Sequence, residues 1–271
     1  MKKLIILLSI ILFFGCSTQK NKTLNKKFHS VVSTYNVLFN GNESIKEGED
    51  SFLKSYKEDF WEILPVEPIE ETNKIITVDG LENKSFLKAE EKAAKAIQKH
   101  SMNIYGKERN KKIDDAYLLL GKSRYYTERF IPAVDAYNYI IANYPNASLI
   151  NETKIWRAKA HIRIENEELA IETLEILLRK PELPDFIREE ANTTLAMAYT
   201  KMDSVHRVRK HLWEATKTSK NTIQKARNLF VLGQLYGLDG IKDTASIVFK
   251  KLINLFFSSK FLHKIFINQK V

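Results

Sequence analysis

The groups in this 271-residue chain whose types could do chemistry are one thiol, six imidazoles and a scatter of carboxylates. The thiol, Cys16, follows Met1-Lys2-Lys3, an apolar run from Leu4 to Phe14, and Gly15. Lys2 and Lys3 form a charged leader, and the eleven apolar residues after them are too few to cross ~30 Å of hydrocarbon, which takes ~20 helical residues. The segment reads as a secretion signal, and the thiol sits at its boundary. The imidazoles are His29, His100, His161, His206, His211 and His263. They contain no HExxH pair, and the closest two, His206 and His211, are five apart, about 140° around a helix, so no metal site is expected. There is no glycine-rich phosphate loop. Asp114-Asp115 and Glu189-Glu190 are expected as exposed charges near helix N-termini, not as a general acid and base. The chain is therefore expected to be no enzyme, without cofactor or small-molecule substrate.

Phe13-Phe14-Gly15-Cys16 resembles the lipobox of bacterial lipoproteins, in which the leader is cut before the cysteine and the new N-terminal cysteine carries acyl chains such as palmitate. Two or more chains, at ~0.8 kcal/mol per buried CH₂, hold a protein on a bilayer where one chain does not. Ser17-Thr18-Gln19-Lys20 follow, without the acidic run that resembles a surface-export signal, so the periplasmic face of the outer membrane is expected. With Cys16 lipidated, no internal disulfide is available, and stability must come from packing.

Those chemical groups need elements to hold them, and the composition says which. Six prolines and nine glycines, with Ala, Leu, Ile, Lys and Glu abundant, predict an all-α chain. The net charge of +10 falls to about +8 without the leader lysines and raises a nucleic-acid hypothesis. Export and the scatter of lysines over helical faces argue instead for a solvated surface, with an acidic partner protein or anionic headgroups as the functional alternative.

A small residue recurs at Gly121, Ala158, Ala196 and Gly233, spaced by 37, 38 and 37 residues. Ala133, Ala170, Val208 and Ala245 follow it by twelve, and Tyr137, Leu174, Leu212 and Phe249 by four more. With Tyr117, Leu120-Gly121, Tyr125 and Pro145, these columns match the tetratricopeptide signature; a HEAT-like array is the alternative. A Gly or Ala on each first helix lets the second approach, so these residues are expected as core. First helices are predicted near Ile113–Thr127, Leu149–Ile164, Phe186–Met202 and Thr222–Leu238. Second helices are predicted near Phe130–Asn143, Glu167–Leu178, Val205–Thr216 and Ile241–Phe257, with Asn166, Asp203 and Asn221 as N-caps.

Ahead of the repeats, Phe86–Met102 is predicted as a helix packed on the first unit. Phe28, Val32, Tyr35 and Phe39 form one helical stripe and Phe52, Tyr56 and Phe60 another, with Asn40-Gly41-Asn42 as the turn of an aromatic helical hairpin. Trp61 to Pro68 is expected to be extended, because Pro65 and Pro68 push their predecessors out of the helical region. The expected organisation is a signal peptide over 1–15, a hairpin and linker over 16–85, and a right-handed tetratricopeptide-like solenoid of about four units over 86–257. The apolar tail 258–271 ends where a solenoid needs a polar cap, so the array is expected to continue in a longer parent chain or against a partner, and a truncated, non-functional product is one reading.

Tetratricopeptide arrays hold peptides on the face made by first helices. Here that face is expected at Leu118, Lys122 and Tyr125, then Ile155, Lys159 and Ile162, then Thr193, Met197 and Thr200. It lacks the Lys-Asn pattern that resembles a carboxylate clamp.

Several segments together resemble one family: Phe28-His29-Ser30, Tyr35-Asn36-Val37-Leu38-Phe39-Asn40-Gly41, Phe60-Trp61-Glu62-Ile63-Leu64-Pro65-Val66-Glu67-Pro68, Ala89 to Met102, and Asp115 to Tyr126. They are similar to the SprE/PorW tetratricopeptide lipoproteins of Bacteroidetes. The resemblance implies a non-enzymatic outer-membrane scaffold required for type IX secretion and gliding motility, with protein components of that machinery as partners, the membrane reached through Cys16, and no nucleic acid. The members are longer than this chain. The competing reading is a periplasmic lipoprotein that binds cell-wall or peptide ligands.

Overall fold

A computed structural model describes residues 17–68, 84–218 and 221–258. The expected signal peptide with Cys16, the middle of the expected linker and residues 259–271, with His263, lie outside the described residues. The fold is all-α and is built of consecutive helix pairs; the strands described are a two-residue antiparallel pair, β1 (Asn103–Ile104) and β2 (Lys107–Glu108). Tyr105 and Gly106, at φ 54° and 73°, supply the two left-handed residues that a tight hairpin turn requires.

The chain forms two compact units, residues 1–52 with 77–149 and residues 53–76 with 150–271. The four repeats expected as a single array over 86–257 are thus divided, the first in unit 1 and the other three in unit 2. Residues 53–76, expected to go with the N-terminal hairpin, belong to unit 2.

In unit 1 the chain does not turn at Asn40-Gly41-Asn42. Helix α1 (Thr23–Val32) passes through a π-helical stretch, Ser33–Leu38, into α2 (Phe39–Ser55). Gly41 and Gly48 are sites of close approach: a Cβ on Gly41 would meet Leu119 Cδ2 at 2.4 Å, and one on Gly48 the Phe86 ring at 2.5 Å. The wider π turn shifts the phase of the helix beyond it; Val37, Leu38 and Ile45 enter the core, while Phe28, Tyr35 and Phe39 of the expected stripe are exposed. The second stripe is not helical beyond Ser55, and Tyr56 and Phe60 lie in irregular chain. Helix α3 (Lys84–His100) packs on α4 (Ile113–Tyr126), as expected, and α5 (Phe130–Asn143) completes the first repeat.

Unit 2 holds α6 (Ile150–Arg163), α7 (Glu167–Leu178), α8 (Asp185–Lys201), α9 (Val205–Thr218), α10 (Thr222–Leu238) and α11 (Lys242–Ser258). The repeat columns are core. Gly121 lies under the Tyr137 ring, with only 2.3 Å for an added Cβ, and Gly233 lies under Phe249, with 2.6 Å. Ala158, Ala170, Leu174, Ala196 and Leu212 are buried. Each hairpin turns through a left-handed residue seven after the small one: Glu128, Glu165, Asp203 and Gly240, with φ from 52° to 71°. The amide three residues beyond the helix reaches back to a carbonyl in its last turn, as in Arg129 to Arg124, Asn166 to His161, Ser204 to Tyr199 and Ile241 to Tyr236, which is the Schellman arrangement.

Asp203 is therefore the left-handed close of α8 and not the N-cap of α9. Asn166 precedes α7 without a side-chain capping bond. Asn221 does cap α10, its Oδ1 accepting from the amides of Ile223 and Gln224, each at 3.2 Å. Asp114 and Glu189, expected as exposed charges, are buried. Burial raises the Asp114 carboxyl above its ordinary range, helped by the neighbouring Asp115 charge.

Candidate peptide groove of unit 2

Repeating helix pairs bring one face of α6, α8 and α10 together, since equivalent residues recur at the repeat spacing. On that face the chain lays its own residues 58–67. This strap is non-helical, as its prolines dictate, and runs antiparallel to the order of the repeats, from α10 at Glu58 to α6 at Glu67.

Helix α10 reads the strap's backbone. Gln234 accepts from the Leu64 amide at 3.0 Å and donates to the carbonyls of Glu62 at 2.6 Å and Phe60 at 3.4 Å. Arg227, seven residues earlier and so on the same side of the helix, donates to the Pro65 carbonyl at 2.9 Å and pairs with the Glu58 carboxylate. Phe230, between them, meets Phe60 edge-on with ring centroids 5.5 Å apart. Leu64 and Val66 are buried in the same apolar cluster as Ile155, Ile162 and Met197.

Helix α6 reads charge. Arg163 donates to Glu67 Oε2 at 2.8 Å, and Lys159, one turn away, lies 3.4 Å from Glu67 Oε1 and 3.2 Å from Glu190 Oε1 of α8. These ions are little exposed, with side-chain accessibilities of 7% for Arg163 and 11% for Lys159. Burial alone would lower the Lys159 ammonium's pKa; Glu67 and Glu190 outweigh it and hold the pKa above its ordinary value. Burial pushes the Arg227 guanidinium below its usual value. Breaking a buried pair leaves a charge without solvent or partner, at about 3–5 kcal/mol.

Of the nine residues expected on the binding face, Lys159 touches the strap's charge, and Ile155, Ile162 and Met197 form the apolar cluster below it. Thr193 accepts from Asn228 Nδ2 at 3.0 Å, and the exposed Thr200 returns its hydroxyl to the Ala196 carbonyl at 2.8 Å. Leu118, Lys122 and Tyr125 belong to unit 1. Tyr125 is buried there, edge-on to Phe130 at 5.5 Å. The missed residues are Arg163, Arg227, Phe230 and Gln234. Two of them were one repeat away: 37 residues after Thr193 stands Phe230, and 37 after Met197 stands Gln234.

A separate open pocket of about 510 Å³ lies among α9, α10 and α11, with Trp213, Leu229 and Leu255 on its apolar side and Lys217, Lys225 and Lys251 about it. Lys251 Nζ stands 4.2 Å over the Trp213 ring. Among the described residues, no three His, Cys, Asp or Glu side chains gather to hold a metal, and no helix is long and apolar enough to cross a membrane. No protein-family model matches the chain, and no curated protein matches it.

Proposed function

We propose that this chain is a non-enzymatic scaffold that holds extended protein segments on the inner face of its helical repeats. The observation that carries the reading is the strap itself: ten residues, Glu58 to Glu67, lie on α6, α8 and α10 through backbone hydrogen bonds, buried ion pairs and two apolar side chains. Main-chain bonds give affinity without regard to sequence, and pockets and charges select among sequences. The wider setting is an outer-membrane lipoprotein of type IX secretion and gliding motility, anchored by acyl chains on Cys16 and bound to protein components of that machinery. The lipobox-like leader and the segments similar to SprE/PorW support it.

In a strain lacking the gene, secretion of type IX cargo and colony spreading are expected to be lost. Normal secretion and spreading would remove that setting. Cys16→Ala is expected to move the protein to the soluble fraction; persistent membrane attachment with acyl labelling would refute the anchor. A second reading, a binding lipoprotein for amphiphilic anionic ligands such as cell-wall fragments, is favoured by the lysine-rimmed Trp213 pocket. Retention of peptidoglycan fragments without any secretion protein in a pull-down would support it.

A further inference from the structure

Few of the strap's side chains are buried. Leu64 and Val66 are its buried apolar side chains, worth roughly 1.5–3 kcal/mol each, whereas Phe60, Trp61 and Ile63 stay exposed, Trp61 at 97%. Glu58 places one oxygen on Arg227 and leaves Oε2 buried without a hydrogen-bond partner, a defect that well-settled cores avoid. Segments with few buried apolar contacts open locally at a small fraction of the global stability. The groove beneath is built to a higher standard. It presents Lys159, Arg163 and Arg227 at nearly buried positions, with Gln234 reading main chain between them. An emptied groove would lose the carboxylates of Glu58 and Glu67 from these cations. Lys159 would keep Glu190, and a replacement that brings acids to the same two ends, with an apolar stretch between, restores the rest.

We propose that the groove is a receptor for an acidic, proline-bearing extended segment of a partner protein, spaced as Glu58, Leu64-Pro65-Val66 and Glu67, and that the strap is its resident competitor. The partner's segment lies antiparallel to the repeats, gives its main chain to Gln234 and Arg227, and sets a carboxylate between Lys159 and Arg163. Release of the strap switches the scaffold from closed to open, and the displaced strap then shows Leu64 and Val66 beside the already exposed Phe60 and Trp61. This inference rests on the reading of the chain as a protein-binding scaffold.

The test uses the purified full-length chain and a fluorescein-labelled peptide of residues 56–68. A tethered segment acts at an effective concentration on the order of millimolar, so the wild-type chain is expected to bind the peptide at least tenfold more weakly than a Leu64→Asp chain whose own strap is disabled. Glu58→Gln with Glu67→Gln provides a milder opened chain if Leu64→Asp loses helical circular dichroism. In either opened chain, Arg163→Glu is expected to weaken the peptide at least tenfold, and a peptide carrying Glu67→Arg to recover most of that loss. An opened, folded chain that binds the peptide no better than wild type, or binds it equally with Arg163→Glu, would overturn the proposal. A secretion-competent deletion strain would remove the type IX setting and leave this binding result standing.

Discussion

Gly121 and Gly237 are both helical glycines, and the same substitution should move stability in opposite directions at the two. Glycine in a helix interior costs about 1 kcal/mol relative to alanine, so Gly→Ala gains up to that amount wherever the methyl has room. At Gly237, in the last turn of α10, nothing lies within 4 Å of the added Cβ, and Gly237→Ala should stabilise unit 2 by about 0.5 kcal/mol. At Gly121 the Cβ would fall 2.3, 2.7 and 2.8 Å from three atoms of the Tyr137 ring, whose side chain is wholly buried between α4 and α5. The ring cannot swing into solvent, so α4 and α5 must part by about an ångström, and overpacking of this kind costs typically 1–3 kcal/mol or more. After the propensity gain, Gly121→Ala should still destabilise by about 1–2 kcal/mol. Gly233→Ala should fall between them, because Phe249 above it is only half-buried and has somewhere to go. Urea unfolding measures all three. Trp61, Trp156 and Trp213 all belong to unit 2, so fluorescence follows Gly233→Ala and Gly237→Ala, and far-UV circular dichroism follows Gly121→Ala. If Gly121→Ala matched or exceeded wild-type stability, the small column would have some use other than close approach, and the packing account of the repeat would fall.

Glu165 closes α6 at φ 58°, where a side chain costs roughly 1–2 kcal/mol and glycine's extra unfolded freedom returns only about 0.4–1. Glu165→Gly should therefore stabilise unit 2 by about 0.5–1 kcal/mol, and a lowered urea midpoint would contradict the left-handed assignment. His211 is buried, its Nδ1 2.9 Å from Asn192 Oδ1 and its ring stacked on Tyr199. Burial first, then Lys210 and Arg207, lowers its pKa from 6.5 to about 4 against the opposing pull of Glu175 and Glu214. The neutral ring belongs to the fold. Its contribution is complete above pH 6.5 and is lost as the unfolded chain takes up a proton between 6.5 and about 4, a loss of about 3 kcal/mol. His211→Gln should flatten this part of the stability profile, and equal slopes for the two proteins would refute the assignment.

Close packing wrote the legible part of this fold into the sequence. Gly121 with Tyr137 and Gly233 with Phe249 are small-large pairs at fixed spacing, and a contact that tight permits little else. The same residue type misled at Gly41, because glycine serves both turns and close approach, and Asn40 and Asn42 beside it suggested the former. No residue type marks the π turn at Ser33–Leu38, yet it shifts which residues after it face the core. The left-handed positions share the repeat spacing but are filled by Glu128, Glu165 and Asp203, and a glutamate does not announce that conformation. Pro65 and Pro68 made the strap's non-helical form readable. Its destination was not, since Leu64 and Gln234 are 170 residues apart and no local pattern couples them.

That separation sets an order of events during synthesis. The chain grows from its N-terminus, so Glu58 to Glu67 emerges well before the helix that will hold it. At about 5–20 residues per second, the 170 residues between Leu64 and Gln234 take roughly ten to thirty seconds to add. Through that interval the strap has no α10 to lie on, and at its end the newly added α10 meets a strap already tethered beside it, at an effective concentration on the order of millimolar. The chain therefore closes on itself first, and a partner's segment reaches the groove afterwards, at the strap's local openings.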